Sequence, residues 1–205
     1  MKILALVVCT TLALAAQVAT AQTTFCNNAP IASGPAAGPA ILYPSSIAVA
    51  GAGTSITTVN VQLNGLTHTF PDDLDLLLVG PTGLTLVIQS DNGLGDDVTN
   101  LSYVISDSGA TALPDGPPLV AGTFKPANFG GGGDPFAAPA PAGPYNEAAP
   151  AGAATLTNIF GGTDPNGAWN LYVVDDAAGD GGTFAGGWCL EFTTTPVALQ
   201  TFDVE

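Results

Sequence analysis

Leu66-Thr-His-Thr-Phe-Pro-Asp-Asp-Leu-Asp-Leu-Leu-Leu-Val-Gly-Pro-Thr-Gly83 is the stretch whose reading decides the fold. It holds two short strand-forming segments ended by a Gly-Pro-x-Gly turn, and Leu74, Leu76 and Leu78 alternate with Asp73, Asp75 and Leu77. Successive side chains of a strand point to opposite faces, so this spacing predicts one face packed inward and another carrying carboxylates at its start. A second tract, Gly167-Ala-Trp-Asn-Leu-Tyr-Val-Val-Asp-Asp-Ala-Ala-Gly-Asp-Gly-Gly-Thr-Phe-Ala-Gly-Gly-Trp-Cys-Leu-Glu-Phe192, repeats the arrangement. Trp169, Leu171 and Val173 share a face, an acidic Gly-rich turn follows, and Trp188, Leu190 and Phe192 resume the alternation.

Further strand candidates surround these tracts. With them the set is 46–50, 56–63, 66–70, 74–79, 84–89, 101–106, 169–174 and 184–193, rich in Val, Ile, Leu and Thr. Asn64-Gly65, Pro81-Thr82-Gly83, Asp91-Asn92-Gly93 and Gly179-Asp180-Gly181-Gly182 read as the turns between them. No segment carries a 3.6-residue apolar stripe, so the pattern predicts an all-β fold, an antiparallel, jelly-roll-like β-sandwich over 46–193. Residues 22–45 read as an extended Ala/Gly/Pro-rich leader. Residues 130–154, with Gly130-Gly-Gly-Gly133 and five prolines, read as a low-complexity surface insertion with a disordered tip, which Phe136 and Tyr145 could pin to the body. Residues 194–205 follow as a tail or an added edge strand, a route to self-association.

Residues 1–21 have the form of a secretion signal. Lys2 supplies the positive end, 3–16 the apolar run, and Ala19-Thr-Ala21 a small-residue cleavage site; a buried helix is the alternative. The expected location is outside the cytoplasm: secreted, at the cell surface or in the periplasm. Cys9 would leave with the signal, so Cys26 and Cys189 remain, and in an exported protein the default for two cysteines is one disulfide. Two unpaired thiols are the alternative. No later stretch is long and apolar enough to span a bilayer.

Only 9% of residues are charged, and seventeen carboxylic side chains face two lysines, for a net charge of −15. Without Lys2, Lys125 is the one side-chain cation left, and there is no arginine. Nucleic acid and anionic lipid both need clustered Lys and Arg, which excludes them as partners. Solvation or a hard cation remains as the outlet for the carboxylates.

The two tracts together resemble the P domain, or P/Homo B domain, that follows the protease domain in kexin- and furin-like convertases and many secreted bacterial proteases. The family's pattern is met by His68, Phe70, Asp73, Leu74, Leu76, Leu78, Pro81 and Gly83, then Phe124 and Pro126, Leu156, Phe160 and Gly162. It is met again by Gly167, Trp169, Leu171, Val173, Asp175, Gly179, Asp180, Gly182, Trp188 and Leu190. The resemblance covers roughly 46–192 and implies a bacterial, secreted sandwich in which His68 is structural. Two departures stand out: the insertion after Phe129, and the lack of a subtilisin-type catalytic domain ahead of the match.

Catalysis finds little support. Gly53-Thr54-Ser55 is similar to a subtilisin nucleophile segment, but no carboxylate precedes Asp72 and His68 comes after Ser55, reversing the subtilisin order. Asp73 with Asp175 as a glycosidase pair lacks an exposed Trp and Arg set, since Trp169 and Trp188 alternate with core leucines. The expectation is therefore no enzyme but a binding, adhesion or accessory module, its partner an extracellular protein or glycan. The alternatives are a stabilising partner of a separately encoded secreted serine protease and a self-assembling structural subunit. Aspartates gather at the turns, and a calcium ion held by Asp73, Asp175 and Asp180, then Asp75 and Asp176, is the expected cofactor. The competing reading is acidic turns that keep the surface soluble.

Overall fold

The strand at the centre of the opening stretch, Leu74–Val79, is buried along its whole length and on both faces. The computed structural model explains why; it describes residues 21–195 other than Pro117 and Gly132. All of the expected signal, 1–21, except Ala21, and all of the expected tail, 194–205, except its first two residues, lie outside the described residues.

Two sheets face each other. The first contains β1 (Ala21–Asn27), β2 (Ile31–Ala32), β5 (Ser55–His68), β8 (Val98–Ile105), β9 (Thr123–Phe124), β12 (Thr183–Phe184) and β13 (Trp188–Thr195), with β13 between β1 and β5 and β8 along the other side of β5. The second contains β3 (Gly38–Pro39), β4 (Ser45–Val49), β6 (Leu74–Val79), β7 (Thr85–Ser90), β10 (Ala127–Asn128) and β11 (Gly167–Asp175), in the order β10, β7, β6, β11, with β3 and β4 both against β11. Between them Trp169, Trp188, Phe160, Phe192, Leu63, Leu66, Leu76 and Leu78 are all but inaccessible. Each buried indole still finds an acceptor: Trp169 Nε1 donates to Pro165 O at 2.8 Å and Trp188 Nε1 to Ser45 Oγ at 2.9 Å. An unpaired N–H in that interior would cost more than the ring's burial leaves to spare.

The all-β sandwich is as expected, but the sheets are mixed rather than purely antiparallel. β10 runs parallel to β7, and β9 parallel to β8. The sandwich also begins earlier than residue 46: β1 pairs with β13, β2 with β12 and β3 with β11. The predicted turn at Asn64-Gly65 is instead an irregularity inside one fourteen-residue strand, β5. Gly65 takes φ 70° there, its N–H bonds to Ser102 Oγ, and the extra residue lets Leu63 and Leu66 both face inward despite their odd spacing. The one helix among the described residues, α1 (Leu156–Phe160), is capped by Thr155, whose hydroxyl accepts from the Asn158 N–H.

The segment 130–154 folds back as a strap over the outer face of the second sheet. The Val87 N–H bonds to Asn146 O, Asn128 N–H to Ala149 O, and Ala151 N–H to Asn128 O. Phe136 and Tyr145 meet edge to face at 5.4 Å and pack against Leu77, Val79, Val87, Tyr172 and Val174, forming a second, smaller core. That cover turns the expected carboxylate face of β6 into interior. The disulfide forms between Cys26 and Cys189, directly opposite one another across β1 and β13, with Cα atoms 4.1 Å apart.

Candidate functional site

Strap and sheet meet at the end of β6, β7 and β10, and the carboxylates meet with them. Asp75 is the second residue of β6 and points to the outer face, 2% exposed. Asp91 follows β7 directly, and Asp134 lies on the strap, both half-buried. One oxygen from each lies within 4.8 Å of the others. Ser90 Oγ donates to Asp91 Oδ2 at 2.6 Å. Among the described residues no cationic side chain forms an ion pair with them. Burial above all, then the charges of Asp134, Asp176 and Asp91, raises the Asp75 carboxyl to about 8, against a smaller opposing effect from Ser90.

Asn128, on β10 opposite Ser90, is fully buried beside this group. Its Nδ2 donates to Asp134 Oδ2 at 3.0 Å and to Glu147 Oε2 at 2.7 Å, while its Oδ1 has no donor among the described residues. The backbone at Gly130 passes so close to Asp91 that a β-carbon there would run into Asp91 Oδ2. Oxygen donors without sulfur or imidazole suit calcium, magnesium or manganese rather than zinc or copper.

Of the other aspartates of the expected calcium site, Asp73, Asp175 and Asp180 gather elsewhere, around His68, while Asp176 lies between the two groups and feels the charges of Asp91 and Asp134 ahead of that of Asp175. His68 Nδ1 accepts from the Phe70 N–H at 3.1 Å, so Nε2 carries the proton toward Asp175 Oδ2 at 3.2 Å, both side chains fully buried. Asp175 Oδ1 has no partner among the described residues, Asp180 Oδ2 accepts from Thr69 Oγ1, and the Asp176 N–H bonds to Asp73 O. Burial and the charges of Asp180, Asp175 and Asp176 raise Asp73 to about 6. Among the described residues these carboxylates do not converge as Asp75, Asp91 and Asp134 do. Of the five expected ligands only Asp75 belongs to the convergent group.

Asp91 and Asp134 escaped the sequence reading for different reasons. Asp91 sat in a recognised acidic turn but was not joined to Asp75, because the β6–β7 register that pairs Leu76 with Gln89 is a tertiary fact. Asp134 lay in a stretch read as low complexity; its one signal is its place right after a glycine run.

Beside the cluster the strap forms a cleft of about 580 Å³, lined by Asp134, Pro135, Phe136, Pro144, Tyr145 and Glu147. Its size falls within the range of small-ligand sites, and its walls combine aromatic rings with two carboxylates. Near Ser55 there is no histidine, since His68 is engaged with Asp175 at the far end of β5. Among the described residues no helix is long and apolar enough to cross a membrane. No protein-family model matches the chain, and no curated protein matches it.

Proposed function

We propose that this chain is an exported, non-catalytic binding module of the P-domain kind, with a jelly-roll-like sandwich stabilised by calcium, that recognises a protein or glycan outside the cell. The strap cleft carries the reading. It places Phe136, Tyr145 and two carboxylates on the strap that covers the second sheet, in a chain whose residues 1–21 have the form of a secretion signal and whose only two mature cysteines are joined. Rings and prolines supply flat apolar surface, and the carboxylates accept hydrogen bonds from hydroxyl or ammonium groups. The resemblance around His68 and Asp175 favours a second role, as an accessory to a separately encoded secreted protease.

A glycan array and a pull-down from the native secretion test this. Binding by the native protein that falls at least about tenfold in Tyr145→Ala and Glu147→Gln is expected, one lost contact of about 1.4 kcal/mol being tenfold. Ligand binding that both substitutions leave intact would remove the cleft from the proposal; recovery of a protease as the bound partner would favour the accessory role.

A further inference from the structure

We infer that Asp75, Asp91 and Asp134, with the Asn128 carboxamide oxygen, form a calcium site that fastens the strap to the sheet. The assignment stands apart from the partner-binding reading: the site exists or not whatever the cleft holds.

Three observations carry it. Calcium–oxygen bonds are about 2.3–2.6 Å, so donors around one ion lie up to about 5 Å apart, and the three carboxylate oxygens fall within 4.8 Å of one another. Asn128 is fully buried, its Nδ2 donates to Asp134 Oδ2, and its Oδ1 has no donor among the described residues. Buried amide oxygens are rarely left without a partner, and a cation is one this place can supply. Finally, a β-carbon at Gly130 would displace the Asp91 carboxylate, so the backbone approaches the ligand set as closely as glycine allows. Three carboxylates and one carboxamide leave positions for water or a backbone carbonyl in a six- to eight-oxygen shell. Magnesium, with bonds of about 2.0–2.1 Å and a strict octahedron, fits this spread less well.

The ligands come from separate parts of the chain. Asp75, Asp91 and Asn128 belong to the sheet end, and Asp134 to the strap just beyond the glycine run. A shared ion is therefore a cross-link, and the strap that carries Phe136 and Tyr145 gains order from it.

The test is calorimetric titration of the full chain, stripped of divalent ions, with calcium chloride and then magnesium chloride. Hydrogen exchange of peptides from 133–147 is followed alongside. One calcium per chain is expected, in the sub-millimolar to millimolar range of extracellular sites, with slowed exchange in the strap. Asp91→Asn and Asp134→Asn should each weaken binding at least about tenfold, while Asp73→Asn and Asp180→Asn leave it within about twofold. Gly130→Ala should also weaken it by pushing the Asp91 carboxylate aside, with the metal-free melting point little changed. No binding up to about 5 mM calcium would overturn the site, as would binding sensitive to Asp73→Asn and indifferent to Asp91→Asn.

Discussion

A variant carrying Cys26→Ala with Cys189→Ala is expected to unfold in urea at a midpoint about 2 M below the native protein. The bridge spans 163 residues of sequence, so in the unfolded chain it closes a loop nearly as long as the domain. The chain-entropy relation gives roughly 5 kcal/mol for such a loop, an upper figure because residual structure in the unfolded state reduces it. Domains of this kind are stable by about 5–15 kcal/mol, so the loss is a large share of the whole. At a urea slope of about 2 kcal/mol per M, even 4 kcal/mol moves the midpoint by about 2 M. The slope should rise as well, since an uncrosslinked chain exposes more surface when it unfolds. A midpoint within about 0.3 M of the native one would show that β1 is held by its ladder to β13 alone.

The inner face of the sandwich was legible because it obeys a two-residue period. Trp169, Leu171 and Val173, then Trp188, Leu190 and Phe192, are buried in the central core as their alternation requires. The outer face of β6 was not. Asp75, Leu77 and Val79 alternate in the same way, but whether such a face meets water depends on what lies across it. The cover here is a Pro- and Gly-rich strap that carries no period of its own. The parity of β5 was hidden similarly, since Gly65 could mark a turn or an irregularity and only Ser102 and the neighbouring strand decide between them.

Those unreadable features shaped the candidate site. Asp73, Asp175, Asp176 and Asp180 do lie near each other, as their proximity in two turns suggested, and their charges act on Asp73. Asp175 Oδ2 is engaged instead with His68 and Asp180 Oδ2 with Thr69. Asp75 leaves that group because Asp73 ends the 3-10 turn before β6 whereas Asp75 lies within β6, on the face the strap covers, where Asp91 and Asp134 meet it. Sequence spacing located the acidic turns; strand register and the strap selected which carboxylates converge.

The metal-free protein is expected to be most stable in acid and to lose stability as the pH rises from about 4 to about 8. The sign follows from Asp75. Its carboxyl titrates at about 8 in the fold against an ordinary 3.8, so between those values the folded state holds a proton that the unfolded chain has released. Where the native state binds more protons, unfolding becomes easier with each unit of pH. The contribution is whole below about pH 4 and gone above about pH 8. Burial and like charges also raise Asp72, Asp73, Asp176 and Glu147, and these more exposed groups act in the same direction with smaller weight. Asp164, held low by Asn166, opposes them from the surface.

At about 1.4 kcal/mol per unit, the Asp75 shift alone corresponds to several kcal/mol. For a domain of this size that is a fall of roughly 10 °C in the melting midpoint between pH 4.5 and pH 8. Calcium should cancel the fall, because the ion binds the ionised carboxylates and replaces the proton, so its stabilising effect grows with pH. Melting curves at half-unit steps, on stripped protein with and without about 5 mM calcium, would show two lines that nearly meet in acid and diverge above pH 6. Asp75→Asn should flatten the metal-free line by removing the charge that must be buried. A metal-free midpoint that instead rises steadily from pH 4.5 to pH 8 would mean that Asp75 is ionised in the fold and neutralised by something other than a proton.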